Sequence, residues 1–190
     1  MKRVKILVVL VSLCVSTAHL FAQDLIKKKD EATGKWGFVD KQGKVIISYK
    51  YEIADEFSEG LAAVAIGDKG GYIDKTGKIV IPLQYEGVST FKNGYAEVIM
   101  DKKRGLIDKT GKEILPCKYQ KITPMGNEDF SVVFGFSVAF DNKLGFFDVS
   151  GKQITPFEYN AFAIIKDDSS LVGMYEGRWV KINKEDGTRE

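Results

Sequence analysis

Four aspartates, Asp40, Asp74, Asp108 and Asp148, recur in loops that each read D-x-x-G-K. Carboxylates repeated in glycine loops invite a calcium reading. Calcium takes about six to eight oxygens, yet each aspartate is followed by Lys or Val, then by Gln, Thr or Ser, and then by Gly-Lys, so no loop supplies a second carboxylate. The residues suit a turn instead. Asp at the first position and Gly at the fourth match a type I turn whose glycine takes the left-handed conformation. A second candidate chemistry is stacking on sugar rings by Trp36, Tyr51, Tyr72, Tyr85, Tyr95, Tyr119, Phe146 and Tyr159. Rings held at one register of a repeat more often fill the space between units. A third is hydrolysis by paired carboxylates, but none of the 26 acidic residues forms a pair distinct from the charges around it. Cys117 reads as a small buried hydrophobe rather than a reactive thiol.

The elements that must position these residues repeat with them. Gly37, Gly71, Gly105 and Gly145 each precede their aspartate by three residues, and Gly43, Gly77, Gly111 and Gly151 follow it by three. Eight residues further stands Tyr51, Tyr85, Tyr119 or Tyr159. Short β-rich runs flank each turn, as in GYID before and KIVIP after, so each unit opens with a hairpin. Pro82, Pro116 and Pro156 are expected to end its second strand. A loop through Phe57–Gly60 or Phe91–Gly94 then leads to a third strand that places Val64, Val98, Val138 and Val172 in one column. Repetition at this period marks an array in which each unit buries its apolar face on its neighbours.

Composition removes several function classes. Lys2, Arg3 and Lys5, an apolar run from Ile6 to Val15 and the small residues Ser16, Thr17 and Ala18 have the layout of a secretory signal peptide. Cleavage after Ala22 is expected. It removes His19, the only histidine, and Cys14, leaving one cysteine and 25 basic residues (28 less these three) against 26 acidic ones. Such a chain has no imidazole for a Ser-His-Asp set or a zinc site, no disulfide and no basic excess for nucleic acid. No later segment has the length of a membrane-spanning helix.

The stretch KWGFVDKQGKVI and its echoes resemble the WG (KWG) repeat family of bacterial proteins, whose units run roughly W-G-x-I-D-x-x-G-x-x-V-I-P-x-x-Y-[DE]. The resemblance covers about residues 35 to 162 and implies a tandem repeat but no shared activity. The naming tryptophan stands only at Trp36, with Gly70, Arg104 and Leu144 at the corresponding positions.

The expected fold is all-β, a tandem array of about four to five three-stranded antiparallel units, solenoid-like or a partly closed meander in preference to a propeller. The expected divisions are a signal peptide (1–22), a lead-in (23–34) and a repeat domain (35–190) with units near 36–69, 70–103, 104–143 and 144–177 and a partial terminal unit (178–190). The expected function is a secreted, non-catalytic scaffold that binds protein at the bacterial cell envelope. Wall glycan is the alternative ligand and a carboxylate-based glycosidase the third reading. No catalytic, metal or cofactor residues are assigned, and no nucleic-acid partner is expected. The irregular third unit carries six extra residues around PMGNED, which makes Gly126, Asn127, Glu128 and Asp129 the partner-binding candidates, since loops on a regular scaffold carry specificity.

Overall fold

The computed structural model describes residues 24–127, 130–166 and 169–190. The expected leader, residues 1–22, lies outside the described residues, as do Glu128 and Asp129. The described chain is all-β, without helices, and forms five small antiparallel sheets in tandem rather than a closed barrel. Among the described residues no helix is long and apolar enough to cross a membrane.

The first sheet orders β1 (Ile26–Lys29), β2 (Trp36–Val39) and β3 (Val45–Tyr51) side by side. The second consists of β4 (Ile53–Ala54), β5 (Leu61–Ile66), β6 (Lys69–Asp74) and β7 (Ile79–Tyr85). The third repeats it with β8 (Gly87–Val88), β9 (Tyr95–Met100), β10 (Lys103–Asp108) and β11 (Glu113–Tyr119). The fourth holds β12 (Lys121–Gly126), β13 (Val133–Phe140) and β14 (Lys143–Asp148), and the fifth β15 (Ala161–Ile164), β16 (Leu171–Tyr175) and β17 (Arg178–Ile182). The sheets are out of phase with the sequence repeats. Each takes its opening arms from one repeat and its closing hairpin from the next, so no repeat is complete without a neighbour. The lead-in belongs to this scheme too, because β1 pairs with β2 as β5 pairs with β6.

Three sequence expectations are corrected. Pro82 and Pro116 do not end their strands but lie inside β7 and β11. Gly70 pairs with Tyr85 and Tyr72 with Ile81, so Gly71 alone faces three residues of β7 that include Pro82. Such a bulge interrupts the ladder, and proline's missing N–H leaves no bond unmade there. The segment before the third strand is tighter than a free loop, because the two-residue strand β4 precedes the irregular residues 55–57 and the turn at Glu59 and Gly60. Glu52 and Asp55 donate backbone N–H bonds to Ala65 O and Ala63 O, both at 2.9 Å, and Glu59 and Gly60 both take positive φ. That pair of angles is the two-residue turn that matches strand twist. Finally, the column of Val64, Val98 and Val138 continues at Gly173, not Val172. The first three lie opposite Gly71, Gly105 and Gly145, and Gly173 lies opposite Val180 at the same register. A side chain at 173 would meet the Tyr159 ring at 2.5 Å.

The same register places Trp179 in the Trp36 column, because Arg178 pairs across its turn with Tyr175 as Lys69 does with Ile66. Two tryptophans therefore occupy the naming column. Trp36 is half-buried beneath Lys27, whose ammonium sits 5.0 Å from its ring, and Trp179 is half-exposed.

Four apolar cores each join one sheet to the next. Strand alternation sends neighbouring side chains to opposite cores. Tyr72 packs with Tyr85, Phe91 and Val98 between the second and third sheets, while Ile73 packs with Phe38, Tyr51 and Val64 between the first and second. The third core holds Leu106, Tyr119, Phe136 and Val138, and the fourth Phe146, Tyr159, Leu171 and Ile182.

Candidate functional site

The recurring aspartates cap turns. Asp108 Oδ1 accepts from the Thr110 N–H at 2.8 Å, the Thr110 hydroxyl at 2.6 Å and the Lys112 N–H at 3.0 Å. Asp74 and Asp148 do the same with Thr76 and Lys78 and with Ser150 and Lys152, and Asp40 accepts from the Gln42 and Lys44 amides. The Thr110 hydroxyl, opposed by slight burial and aided by the amides of Thr110 and Lys112, holds Asp108 below the usual carboxylate range. Gly43, Gly77, Gly111 and Gly151 close these turns at φ between 83° and 86°. Each carboxylate thus has a structural use, and among the described residues no group of three His, Cys, Asp or Glu is placed to hold a metal ion.

Six of the eight candidate rings are interior. Tyr51, Tyr72, Tyr85, Tyr119, Phe146 and Tyr159 are all at most 4% exposed, which removes them from any sugar-stacking row, whereas Trp36 and Tyr95 are half-buried. The Tyr72 hydroxyl donates to Ser89 O at 2.6 Å, and burial pushes its pKa up. The Tyr51 hydroxyl is buried and has no partner among the described residues. Cys117 is half-buried against the core of the second and third sheets, and burial followed by the nearby Glu113 carboxylate raises its thiol pKa.

The irregular region differs in kind. The extra residues of the third unit lengthen a hairpin instead of forming a free loop: Pro124, Met125 and Gly126 are in β12, paired with Phe136, Gly135 and Val133. A side chain at Gly126 would collide with the Val132 carbonyl. Asn127 organises the tip. Its N–H donates to Val132 O at 3.1 Å, its side-chain oxygen accepts from the Val132 N–H at 2.9 Å, and its amide donates to Ser131 Oγ at 2.7 Å. Of the four candidates, Gly126 and Asn127 therefore build the hairpin end.

Beside that tip runs a groove of about 450 Å³ lined by Asn93, Tyr95, Ile114, Val132, Val133 and Val149, among others. One unit earlier the equivalent place is latched by polar contacts. There Glu59, the first residue of its two-residue turn, accepts the Gly94 N–H at 3.0 Å and lies 3.8 Å from Lys109 Nζ. In the later unit Asn93 takes Glu59's place and donates to Phe130 O at 2.9 Å, while Val149 replaces the lysine of Lys41, Lys75 and Lys109. Phe130, Val132 and Val149 are 40%, 51% and 53% exposed. Reasoning from the sequence alone missed Asn93, Val132 and Val149; the signal was Val149 itself, the one break in a column of turn lysines.

Three consecutive stretches, residues 36–69, 71–103 and 105–134, match the family model described as the WG containing repeat. No curated protein matches the chain.

Proposed function

This chain belongs to the WG-repeat family, and on that premise we propose that it is an exported, non-catalytic scaffold that binds a protein partner at the bacterial cell envelope. The observation that carries the reading is where the rings lie. A glycan binder needs a row of exposed rings, whereas six of the eight repeated rings here are buried between sheets and the other two, Trp36 and Tyr95, are half-buried. The exposed apolar side chains that gather instead are Phe130, Val132 and Val149, around the groove where the repeat departs from its own pattern. Apolar surface rimmed by polar residues suits protein contact. The export part rests on the leader-like residues 1–22, and the non-catalytic part on the structural use of every repeated aspartate.

The test is capture from envelope extract with the wild type and with Val149→Lys, which restores the column residue at an exposed turn. A partner held by the wild type and lost by Val149→Lys, with unchanged melting, supports the reading. Equal capture by both moves binding off the groove. Intact mass of the exported form should place its first residue at or near Gln23, and retention of Met1 there would remove the export argument.

A further inference from the structure

The tryptophan column has one position in each sheet, paired across its ladder: Trp36 with Lys29, Gly70 with Ala65, Arg104 with Ile99, Leu144 with Ala139 and Trp179 with Met174. Two residues before each partner, on the same face by alternation, stand Lys27, Ala63, Glu97, Ser137 and Val172. Four sheets put a large side chain into this triplet. Trp36 lies beneath the ammonium groups of Lys27 and Lys29, and Arg104 Nη1 pairs with Glu97 Oε1. The second sheet has only Gly70, Ala63 and Ala65 there.

The small residues leave a cavity of about 180 Å³, lined by them, by Val88 of the next sheet and by Ile53, which is 61% exposed. The chain does not fill it from Gly70, where an added carbon would meet Val88 Cγ2 at 2.9 Å. The polar side chains lining the cavity are all carboxylates, Asp55, Asp68 and Glu86, and no lysine or arginine lines it. One unit later the corresponding residues are Ser89, Lys102 and Gln120, so the acidic rim belongs to this unit. Glu86 accepts the Lys102 N–H at 3.0 Å, and Asp55 the Thr90 hydroxyl at 3.4 Å. Lys69, next to Gly70, belongs to the opposite face of β6. Its equivalent Lys35 pairs with Glu52 at 2.7 Å, whereas among the described residues Lys69 makes no ion pair with Glu86.

We propose that this cavity receives an arginine side chain of a partner protein. The pattern is the chain's own: at the same place in the third sheet Arg104 occupies the position and a carboxylate holds it. The stem of an arginine covers small apolar residues while its guanidinium bonds to carboxylates, and an arginine seated in a pocket is a common anchor of protein interfaces. The proposal rests on the protein-binding reading, but the cavity shares no lining residue with the groove at Val149.

Amide NMR of the purified chain titrated with a blocked Gly-Arg-Gly tripeptide tests it. The amides of Gly67, Gly70 and Gly87 should shift saturably. The same peptide with citrulline, which keeps the shape without the charge, should leave them in place. Ala65→Met, which introduces the residue found at this position in the fifth sheet, fills the cavity and should abolish the shifts. Asp55→Asn/Glu86→Gln removes two charges at nearly constant volume and should lose most of the shift, whether or not Ala65→Met folds. The proposal is overturned if the arginine peptide moves none of these amides, if the citrulline peptide moves them equally, or if the folded variants respond as the wild type does. An envelope protein captured by the wild type and lost by Val149→Lys, with no response to the arginine peptide, would overturn this site and leave the protein-binding reading standing.

Discussion

The second and third sheets, residues 53–119, and the fourth and fifth, residues 121–182, solve one packing problem with different backbones. In the earlier pair the second hairpin strand is continuous and bulged, and the hairpin glycine is pressed against it: a side chain at Gly71 would lie 2.5 Å from the carbonyls of Ile81 and Pro82. In the fourth sheet that strand is gone. Residues 149–160 form isolated bridges to β14 at Phe147–Gln153 and Leu144–Tyr159, Phe146 O accepts from the amides of both Ile154 and Thr155, and the Thr155 hydroxyl, buried, accepts the Phe146 N–H at 2.8 Å in place of a ladder bond. Yet Tyr159 is 1% exposed, as deeply set as Tyr85 at 4%. The comparison teaches that the ring column, not the ladder, is what the array must keep. Where the ladder lapses, a side-chain hydroxyl replaces a backbone bond.

The glycine columns give the largest test. Gly71→Ala should cost about 3 kcal/mol, the top of the range for overpacking, because the new carbon meets backbone that cannot swing away. Gly145→Ala should cost about 1 kcal/mol, since its nearest neighbours, the Phe157 ring and Thr155 O, stand at 3.1 Å. Chemical denaturation of both variants checks the order, and equal losses would mean that the fourth hairpin is as tight as the second.

Turn glycines should follow the opposite order. Gly77→Val forces a β-branched residue to φ 84° and should lose on the order of 2 kcal/mol relative to Lys78→Ala. Gly151→Val meets the same strain and also the Ile114 carbonyl, so it should melt lower still. A Gly77→Val variant as stable as Lys78→Ala would remove the turn assignment.

Two tyrosines then separate ring packing from hydroxyl bonding. Tyr72→Phe leaves Ser89 O without its donor and should cost about 1 kcal/mol, while Tyr51→Phe deletes a buried hydroxyl that has no partner among the described residues and should be neutral or stabilising by up to about 1 kcal/mol. Thermal melts of the pair decide it; a large loss at Tyr51 would reveal an unseen bond.

The smallest effect is on acid stability, and it should be alike in both regions. Asp108 is held below the usual carboxylate range chiefly by the Thr110 hydroxyl. Asp148 is lowered as well, burial being outweighed by the Ser150 hydroxyl and the Lys152 and Ser150 amides. A depressed carboxylate adds stability above its unfolded pKa of about 3.9 and loses it as pH falls through the folded value. Asp108→Asn and Asp148→Asn should each flatten the decline of melting temperature below about pH 4. An unchanged acid slope in either would exclude that aspartate as a contributor.

Much of this was legible in the residues. The turn at Asp74–Gly77 was readable because its chemistry lies within five consecutive positions, and the burial of Tyr85 because its column recurs. The strand through Pro82 was not, since proline is tolerated in a sheet only on an edge strand or at a bulge, and that β7 is an edge strand bulged opposite Gly71 depends on pairing that is not local in sequence. The site was half legible. An irregular stretch marked Gly126 and Asn127, but the groove they border is completed by Asn93 and Val149, which only stacking brings beside them.

By itself the sequence determined the all-β repeat, the turns and the identity of the ring columns, because each depends on φ preferences and hydrogen bonds made within a few residues. Which repeat completes which sheet and which face each column takes were decided by tertiary structure. Those follow from pairing between segments some tens of residues apart, where a shift of one position, as between Val172 and Gly173, exchanges the two faces of a strand.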